Sequence, residues 1–414
     1  MLDIKFIREN SDFVKKATKD KGFDESVVDK LLEVDEKRRD LILKSEKLRA
    51  ERNELSKSHE SSSRGKDLKT ELKEIEDDLK KIEEEFNTLM FKVPNPSASD
   101  VKVGNADENE VIKKVGELPE FSFNVRDHVD LGLITDTIDL ERGAKVAQSG
   151  FFYFKNDAVL LELALEQYAF EKLISKGFIP VITPNVAKER NIVGCGFQAR
   201  SDKERQIYHL EGEDLDLIAT AEITLVGMHT DEIIEPSKLP LKYVGLSSCY
   251  RKEIGSYGKD VRGILRVHEF KKVEMVVFCD PKDSTKIHEE LLAIEEEIYQ
   301  ELGISYQVVK MTTGDLGNAA TKKYDLEAWM PSQNKYREIT SASNTTDFQA
   351  RRLNIKTKIG GENVFVHTLN GTIVTTSRTV IAIYENFQNE DGSINIPLVL
   401  QKWMGKEKIE VGKN

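Results

Sequence analysis

The sequence predicts a mixed α+β protein in which an antiparallel two-helix coiled-coil arm precedes a domain built on an antiparallel or mixed sheet. Three observations predict it. Apolar residues recur at heptad spacing in two stretches near the N-terminus, and β-prone segments are bunched in the remainder of the chain. The glycine-rich phosphate loops of the common parallel-sheet nucleotide folds do not occur in the sequence. The 414 residues are enough for two domains.

The composition limits the range of functions without deciding among them. A formal net charge of -12 argues only weakly against RNA binding, because binding depends on the lysines and arginines that face the phosphates. The three cysteines, Cys195, Cys249 and Cys279, lack metal-ligand spacing. We therefore expect no disulfides, no zinc and a reducing compartment such as the cytoplasm. We also expect no signal peptide and no membrane span.

The first domain is predicted to span residues 1–93. It opens with a helical lead-in over residues 1 to about 23, which places Phe13, Val14 and Ala17 on one face and ends at Gly22.

Two heptad stretches follow the lead-in, and they predict a helical hairpin over about 27–91. A Ser/Gly-containing turn at 61–65 separates the stretches. Taken alone, a heptad pair is more typical of a dimerising coiled coil, although polar seam residues weaken its self-packing. These seam residues are Arg38, Ser45 and Arg52.

Prolines and small polar residues predict a linker over 94–119, so that the second domain occupies 120–414. Within it, Tyr250 to Phe278 has the form of a long β-hairpin with a glycine-rich middle. Arginines and carboxylates stand near its strand ends, and arginine forks match phosphate oxygens. The hairpin is therefore a candidate site for a nucleotide triphosphate. Its charged residues are Arg251, Glu253, Arg262, Arg266 and Glu274.

In their order, these residues resemble motif 2 of the class II aminoacyl-tRNA synthetases in the form found in the seryl-tRNA synthetases. Other stretches resemble the same family. They are the chain start, the helix and strand of 161–184 (motif 1), the tripeptide 220–222, the block 337–352 and the segment 370–379 (motif 3). The chain departs from the family at Gly150, where arginine is common, and at Ile373 and Ser377, where glycines are usual.

The resemblance implies a class II catalytic domain that activates serine with ATP and Mg²⁺ and transfers it to the 3′ end of tRNA(Ser). It also implies a cytoplasmic homodimer, and it leaves open whether tRNA(Sec) is charged. The helical arm would grip the long variable arm of the tRNA. Candidate arm contacts are Lys44, Lys47, Arg49 and Lys57.

The resemblance further assigns site residues. Arg251 and Arg378 would be catalytic, and Glu338 and Ser341 would bind Mg²⁺. The serine pocket would comprise Thr220, Ala221, Glu222, Arg251, Glu274 and Thr372. The ATP site would comprise Arg251, Lys252, Glu253, Arg266, Val267, Phe270, Glu338, Ile339, Thr340, Ser341 and Arg378.

Two alternatives remain at this point. A synthetase-like enzyme could pass an activated amino acid to a carrier protein, but such an enzyme has no use for a tRNA-gripping arm. A noncatalytic RNA-binding or scaffolding protein would not need Arg251, Glu253, Glu338 and Arg378, which this chain retains.

Overall fold

The computed structural model describes residues 1–57, 63–197, 206–254 and 262–412. The chain divides into two compact units, Met1–Pro96 and Ser97–Asn414. Residues 61 and 62 of the predicted turn lie outside the described residues, whereas 63–65 are helical, because the second long helix begins at Ser63. Most of the glycine-rich middle of the 250–278 hairpin also lies outside the described residues. The predicted domain boundaries stay predictions.

The first unit is helical and contains the predicted arm. Its helices are α1 (Ile4–Glu9), α2 (Ser11–Asp20), α3 (Ser26–Lys57) and α4 (Ser63–Lys92). The long helices α3 and α4 pair as a hairpin, and ion pairs such as Arg38–Glu83 and Arg49–Glu76 cross between them. The heptad prediction of two long helices is therefore confirmed.

Two details of this unit differ from prediction. The lead-in is two helices broken at Asn10. In α2 the buried side follows the i, i+4 pair Val14 and Thr18, and Phe13 lies off this side and is 52% exposed. The seam is buried at Ser45, but Arg52 is exposed, as expected for a guanidinium that stays hydrated. Gly22 does end the lead-in, with the positive φ typical of a helix stop.

The second unit is α+β. Its helices are α5 (His128–Ile134), α6 (Leu140–Ala147), α7 (Asp157–Ser175), α8 (Glu189–Gly194), α9 (Ala221–Gly227), α10 (Ser284–Glu301), α11 (Phe348–Leu353), α12 (Thr376–Asn386) and α13 (Leu398–Met404). Its strands are β1 (Glu110–Val115), β2 (Ile138–Asp139), β3 (Tyr153–Phe154), β4 (Ile179–Ile182), β5 (Val186–Ala187), β6 (Asp216–Leu217), β7 (Ile233–Ile234), β8 (Leu241–Tyr250), β9 (Glu269–Cys279), β10 (Tyr306–Lys310), β11 (Lys322–Met330), β12 (Lys335–Thr346), β13 (Lys356–Ile359), β14 (Glu362–Phe365), β15 (His367–Thr375), β16 (Ile394–Asn395) and β17 (Lys408–Ile409).

One eight-stranded sheet organises this unit, in the order β1-β10-β11-β12-β15-β9-β8-β4. Its neighbours pair antiparallel except for β4, which runs parallel to β8 at one edge. The opposite edge strand, β1, lies inside the segment predicted as a linker. The predicted antiparallel sheet flanked by helices is confirmed. The hairpin predicted for 250–278 is only partly correct: its second strand lies in β9, but β8 ends at Tyr250, where the predicted first strand begins. The chain leaves the extended conformation after Tyr250, and Glu253 has a positive φ of 46°.

Helices α7, α10 and α12 bury the main core against the sheet, with side chains such as Leu165, Ile298 and Ile381 fully enclosed. The motif 1 helix is α7. Its predicted inner face is buried at Leu161 and Leu173, but Ile174 is 48% exposed, because it lies on an apolar outer face shared with β4. Among the described helices, none is long and apolar enough to cross a membrane.

Candidate active site

A polar cleft opens in the central sheet where two neighbouring strands part. The ladder between β12 and β15 runs from Thr346 and Thr368 only as far as Ala342 and Gly371. Beyond that rung, β12 carries a bulge at Ile339 against β11. Such bulges bend a strand and re-aim its side chains. The resulting cleft is open to solvent, and about 510 Å³ of empty space lies within it and at its open mouth.

The cleft brings together most residues predicted for the ATP site. Those on its walls are Arg251, Glu253, Arg266, Val267, Phe270, Glu338, Ile339, Thr340, Ser341 and Arg378. Thr372, predicted for the serine pocket, lies on the same walls. The walls are completed by Leu265, Lys272, Thr375 and Ser377. Four cations therefore face a cleft whose walls also carry carboxylates, an arrangement suited to a phosphorylated ligand with a polar partner.

One end of the cleft offers an aromatic surface. The Arg251 guanidinium carbon lies 5.3 Å from the centre of the Phe270 ring. Nearby, Arg266 Nη1 lies 3.4 Å from Glu253 Oε2. Glu253 has a φ of 46°, which is uncommon for a residue with a side chain and is often found at functional sites.

The opposite wall pairs Arg378 with Glu338. Arg378 Nη1 lies 3.1 Å from a Glu338 carboxylate oxygen and donates a hydrogen bond of 2.9 Å to the Glu338 carbonyl. Desolvation acts to raise the pKa of Glu338, but the charges of Arg378, Lys323 and Arg251 outweigh it and hold the pKa below its usual range. The Glu338 carboxylate is therefore ionised and can also bind a cation.

Below the cleft floor lies a buried polar group on β9 and β15. Lys272 Nζ lies 2.7 Å from Glu274 Oε2, and the Thr372 hydroxyl donates to the same oxygen at 3.0 Å. Both Glu274 and Lys272 are more than 90% buried. A small polar substrate group that reached Glu274 would meet an oriented carboxylate.

The predicted 220–222 turn lies behind this group. Thr220 caps α9 by accepting a hydrogen bond from the Glu222 backbone N–H, and Gln349 donates to the Glu222 carboxyl at 2.6 Å. Burial, followed by the charge of Glu274, raises the pKa of Glu222 to about 7. Arg251 donates to the carbonyl of Ala219 at 3.4 Å, so the turn also contacts the cleft arginine.

Several predicted residues lie elsewhere. Lys252 lies over the Tyr208 ring at 5.5 Å, and Ala221 packs in a hydrophobic cluster. Arg262 does not join the arginine cluster, because it pairs with Asp127 and Asp130 at the start of α5.

The departures from the family and two unpredicted residues have clear locations. Ile373 is fully buried in the main core, and Ser377 contributes to the cleft wall. Lys272 was not predicted as a site residue. Its position as a charged residue within the largely apolar strand β9 could have indicated it. Nor was Glu295 of α10 predicted, which is fully buried and accepts a 2.8 Å hydrogen bond from Thr340. Only tertiary packing places Glu295 under the cleft.

The carboxylate of Glu338 and the hydroxyl of Ser341 face the same cleft. These oxygen donors suit Mg²⁺, which commonly takes few protein ligands and fills its octahedron with phosphate oxygens and water. Within the described ranges, no group of three or more His, Cys, Asp or Glu side chains could hold a metal ion.

Comparison with known proteins identifies the class first. Residues 206–387 match the family model described as tRNA synthetase class II core domain (G, H, P, S and T). The second unit is thus the catalytic core of a class II aminoacyl-tRNA synthetase. Residues 1–96 match the Seryl-tRNA synthetase N-terminal domain.

Relatives that match over the full length indicate which class II synthetase family this is. The chain is 45% identical to a Serine--tRNA ligase of Dictyoglomus turgidum over 100% of both chains, and 46% identical to one of Rubrobacter xylanophilus over 99% of both. It superposes on a seryl-tRNA synthetase from Pyrococcus horikoshii complexed with ATP, with a TM-score of 0.93, 40% identity and 100% coverage of both chains. The chain belongs to the seryl-tRNA synthetase family.

The raised pKa of Glu222 predicts a pH-dependent stability. A carboxyl whose pKa is higher in the folded state than in the unfolded state lowers stability as pH rises from about 4.5 to about 7. Glu222→Gln should therefore stabilise the second unit at pH 8 by up to about 3 kcal/mol, since one pKa unit corresponds to about 1.4 kcal/mol. The gain should shrink towards pH 5.

Chemical denaturation of variant and parent at pH 5.5 and pH 8 would measure this difference. Glu213→Gln, at an exposed position of the same unit, is the matched control and should show no such pH-dependent gain. An equal effect of Glu222→Gln at both pH values would contradict the prediction.

Proposed function

We propose that this chain catalyses the two-step attachment of serine to tRNA, first forming seryl-adenylate from serine and ATP and then transferring the serine to the 3′ end of tRNA(Ser). The observation that carries the proposal is one cleft lined by Arg251, Phe270, Thr372 and Arg378. The Thr372 hydroxyl on its wall donates to Glu274, which is buried beneath the cleft. The named relatives are serine--tRNA ligases, and solved relatives hold ATP or AMP.

In the first step, a serine carboxylate oxygen attacks the α-phosphate, and the bond to the departing pyrophosphate breaks. No protein nucleophile is required, so catalysis consists of positioning and charge neutralisation. Arg251 would bridge the carboxylate and the α-phosphate, while Arg378 would contact the γ-phosphate. Arg266 would assist at the phosphates, where an incoming anion competes with its 3.4 Å contact to Glu253.

The remaining cleft residues would orient the nucleotide. Phe270 would stack on the adenine, and Glu253 would accept a hydrogen bond from its amino group. Glu338 and Ser341 would hold Mg²⁺, which supplies further positive charge to the phosphates. In the free protein Glu338 neutralises Arg378, and this pair would rearrange when the nucleotide binds.

Serine selection would depend on Glu274 and Thr372, supported from behind by the 220–222 turn. A site that hydrogen-bonds a substrate hydroxyl rejects analogues lacking it by about 10⁴ to 10⁵, because its buried polar groups would be left unpaired. Glu274 suits this role, since Lys272 and Thr372 fix one oxygen of its carboxylate.

The helical arm would bind the tRNA. Lys44 and Lys47 are exposed on α3 and are available to phosphates, whereas Arg49 already pairs with Glu76 at 2.8 Å. The side chain of Lys57 lies outside the described residues. The arm favours tRNA as the acceptor over a carrier protein. The predicted active-site residues Arg251, Glu338 and Arg378 all lie on the cleft walls, which disfavours a noncatalytic RNA-binding protein. The family resemblance assigns the reaction to the cytoplasm.

A second copy of the chain would cover the apolar face formed by α7 and β4. Leu160, Leu163 and Ile182 are 43%, 49% and 84% exposed there, beside Ile174 and Trp403. Contiguous apolar surface of this kind is typical of subunit interfaces. This surface supports the homodimer that the resemblance implies.

ATP–pyrophosphate exchange tests the function. The protein should exchange with serine and not with alanine, threonine or glycine. Glu274→Gln should lower kcat/KM for serine by about 100-fold or more, because a neutral amide replaces the oriented carboxylate. The KM for ATP should change less than about threefold, which would show an intact cleft.

Glu269→Gln, an exposed position on the same strand, is the matched control. Normal serine exchange by Glu274→Gln would remove Glu274 from the serine pocket, and absence of exchange by the parent protein would refute the proposed activity.

Shortening the arm should separate the two steps. Replacing residues 41–80 by a short Gly/Ser turn keeps the pairing of Arg38 with Glu83, so the base of the hairpin is retained. Pyrophosphate exchange should stay within about twofold of the parent, while kcat/KM for tRNA serylation should fall by about 100-fold or more, because the lost contacts bind only tRNA. Full serylation by the shortened protein would exclude the arm from tRNA binding.

The homodimer predicts a mass of two chains in sedimentation at micromolar concentration. Leu163→Glu should shift the equilibrium to the monomer, since a charge would be buried in the interface. Leu43→Glu, an exposed leucine of the arm, is the control and should leave the mass unchanged. A monomeric parent protein would contradict the homodimer.

A further inference from the structure

The first rung beyond the β8–β9 ladder is built in an unusual way. The ladder ends at the pair Tyr250 and Glu269, and Arg251 then faces His268. The Arg251 N–H donates to the His268 carbonyl at 3.0 Å, as expected for an antiparallel pair. The reciprocal bond is missing from its usual place, because the His268 N–H donates to the Gly150 carbonyl at 2.9 Å instead.

The His268 side chain takes over the vacated position. Its Nδ1 lies 2.9 Å from the carbonyl oxygen of Arg251. A carbonyl can only accept, so Nδ1 carries the proton in this contact. The imidazole therefore replaces a backbone donor and holds the main chain of Arg251 after the strand has ended.

The ring of His268 is itself held from several sides. Phe151 stacks on it at 5.4 Å between centroids with a 29° tilt, and the Tyr208 hydroxyl lies 3.2 Å from Nδ1. Gly150 makes this packing feasible. A Cβ at Gly150 would lie 2.4 Å from His268 Cδ2, and the φ of 89° at Gly150 is also unfavourable for a residue with a side chain.

We propose that His268 is a positioning residue that fixes Arg251 for adenylate formation, and that Gly150, where this chain departs from the family, leaves room for the imidazole in the packing seen here. The guanidinium of Arg251 must meet the transition-state charge, and a displacement of about 1 Å can cost about 100-fold in rate. The inference rests on the proposed function, in which Arg251 contacts the reacting groups.

Two substitutions of His268 test the hydrogen bond separately from ring packing. Both His268→Asn and His268→Gln lose the stacked imidazole, but only asparagine carries an amide nitrogen at the distance of Nδ1 from the main chain. His268→Gln should lower kcat of serine-dependent pyrophosphate exchange by about 100-fold, with less than about threefold change in the KM for ATP. His268→Asn should recover most of that loss at a similar thermal unfolding midpoint.

Equal exchange rates for the two variants, or parental activity of His268→Gln, would overturn the proposal. An inactive parent protein would instead refute the proposed function, so the two failures are distinguishable.

Glycine substitutions provide an independent test of the space at Gly150. Gly150→Ala should reduce exchange by a similar factor to His268→Gln. Gly212→Ala is the matched control, because Gly212 has a comparable φ of 83° and a Cβ added there would meet no atom within 4 Å. Parental exchange by Gly150→Ala would overturn the role assigned to Gly150.

Discussion

The separation of β12 from β15 beyond Ala342 and Gly371 is the constraint on which the catalytic unit depends. Two central strands that stop pairing leave backbone and hydroxyl groups without ladder partners, and buried polar groups need replacements. Helix α10 supplies some of them from below. Tyr299 lies 3.4 Å from the Ile373 carbonyl, and Glu295 accepts from the Thr340 hydroxyl. The cleft is thus an opening in a sheet whose floor is supported by polar side chains of a helix.

Charge pairing stabilises this cleft in the absence of substrate. Arg378 contacts Glu338, Arg266 contacts Glu253, and Lys272 contacts Glu274. The first two pairs are partly exposed, so an anionic ligand can replace the carboxylates at modest cost. The third pair is buried, where loss of one partner would leave an uncompensated charge. Exchangeable pairs therefore line the proposed nucleotide site, and a buried pair lies beneath the proposed serine pocket.

The position of Arg251 depends on contacts with several other segments. Arg251 is oriented by contacts from other parts of the chain, including the carbonyl of Ala219, the Phe270 ring and the His268 imidazole. All three residues are distant from Arg251 in the sequence, although Phe270 and His268 lie on the segment that pairs with it. The position of the Arg251 side chain, which carries the proposed chemistry, therefore depends on how the residues around it pack.

The sequence by itself determined the two long helices of the arm, the second strand of the predicted 250–278 hairpin and the motif residues that line the cleft, because heptad spacing, β-propensity and residue order are local properties. It could not exclude Arg262 from the arginine cluster, since the carboxylates Asp127 and Asp130 that bind it come from a distant segment. Nor could it reveal Lys272, Glu295 or the contacts of Gly150 and His268. These contacts depend on the separation of β12 from β15, on α10 packing beneath them and on the Gly150 carbonyl, which accepts the His268 N–H. Tertiary structure alone decides these contacts, because burial and hydrogen bonding join residues that are far apart in the chain.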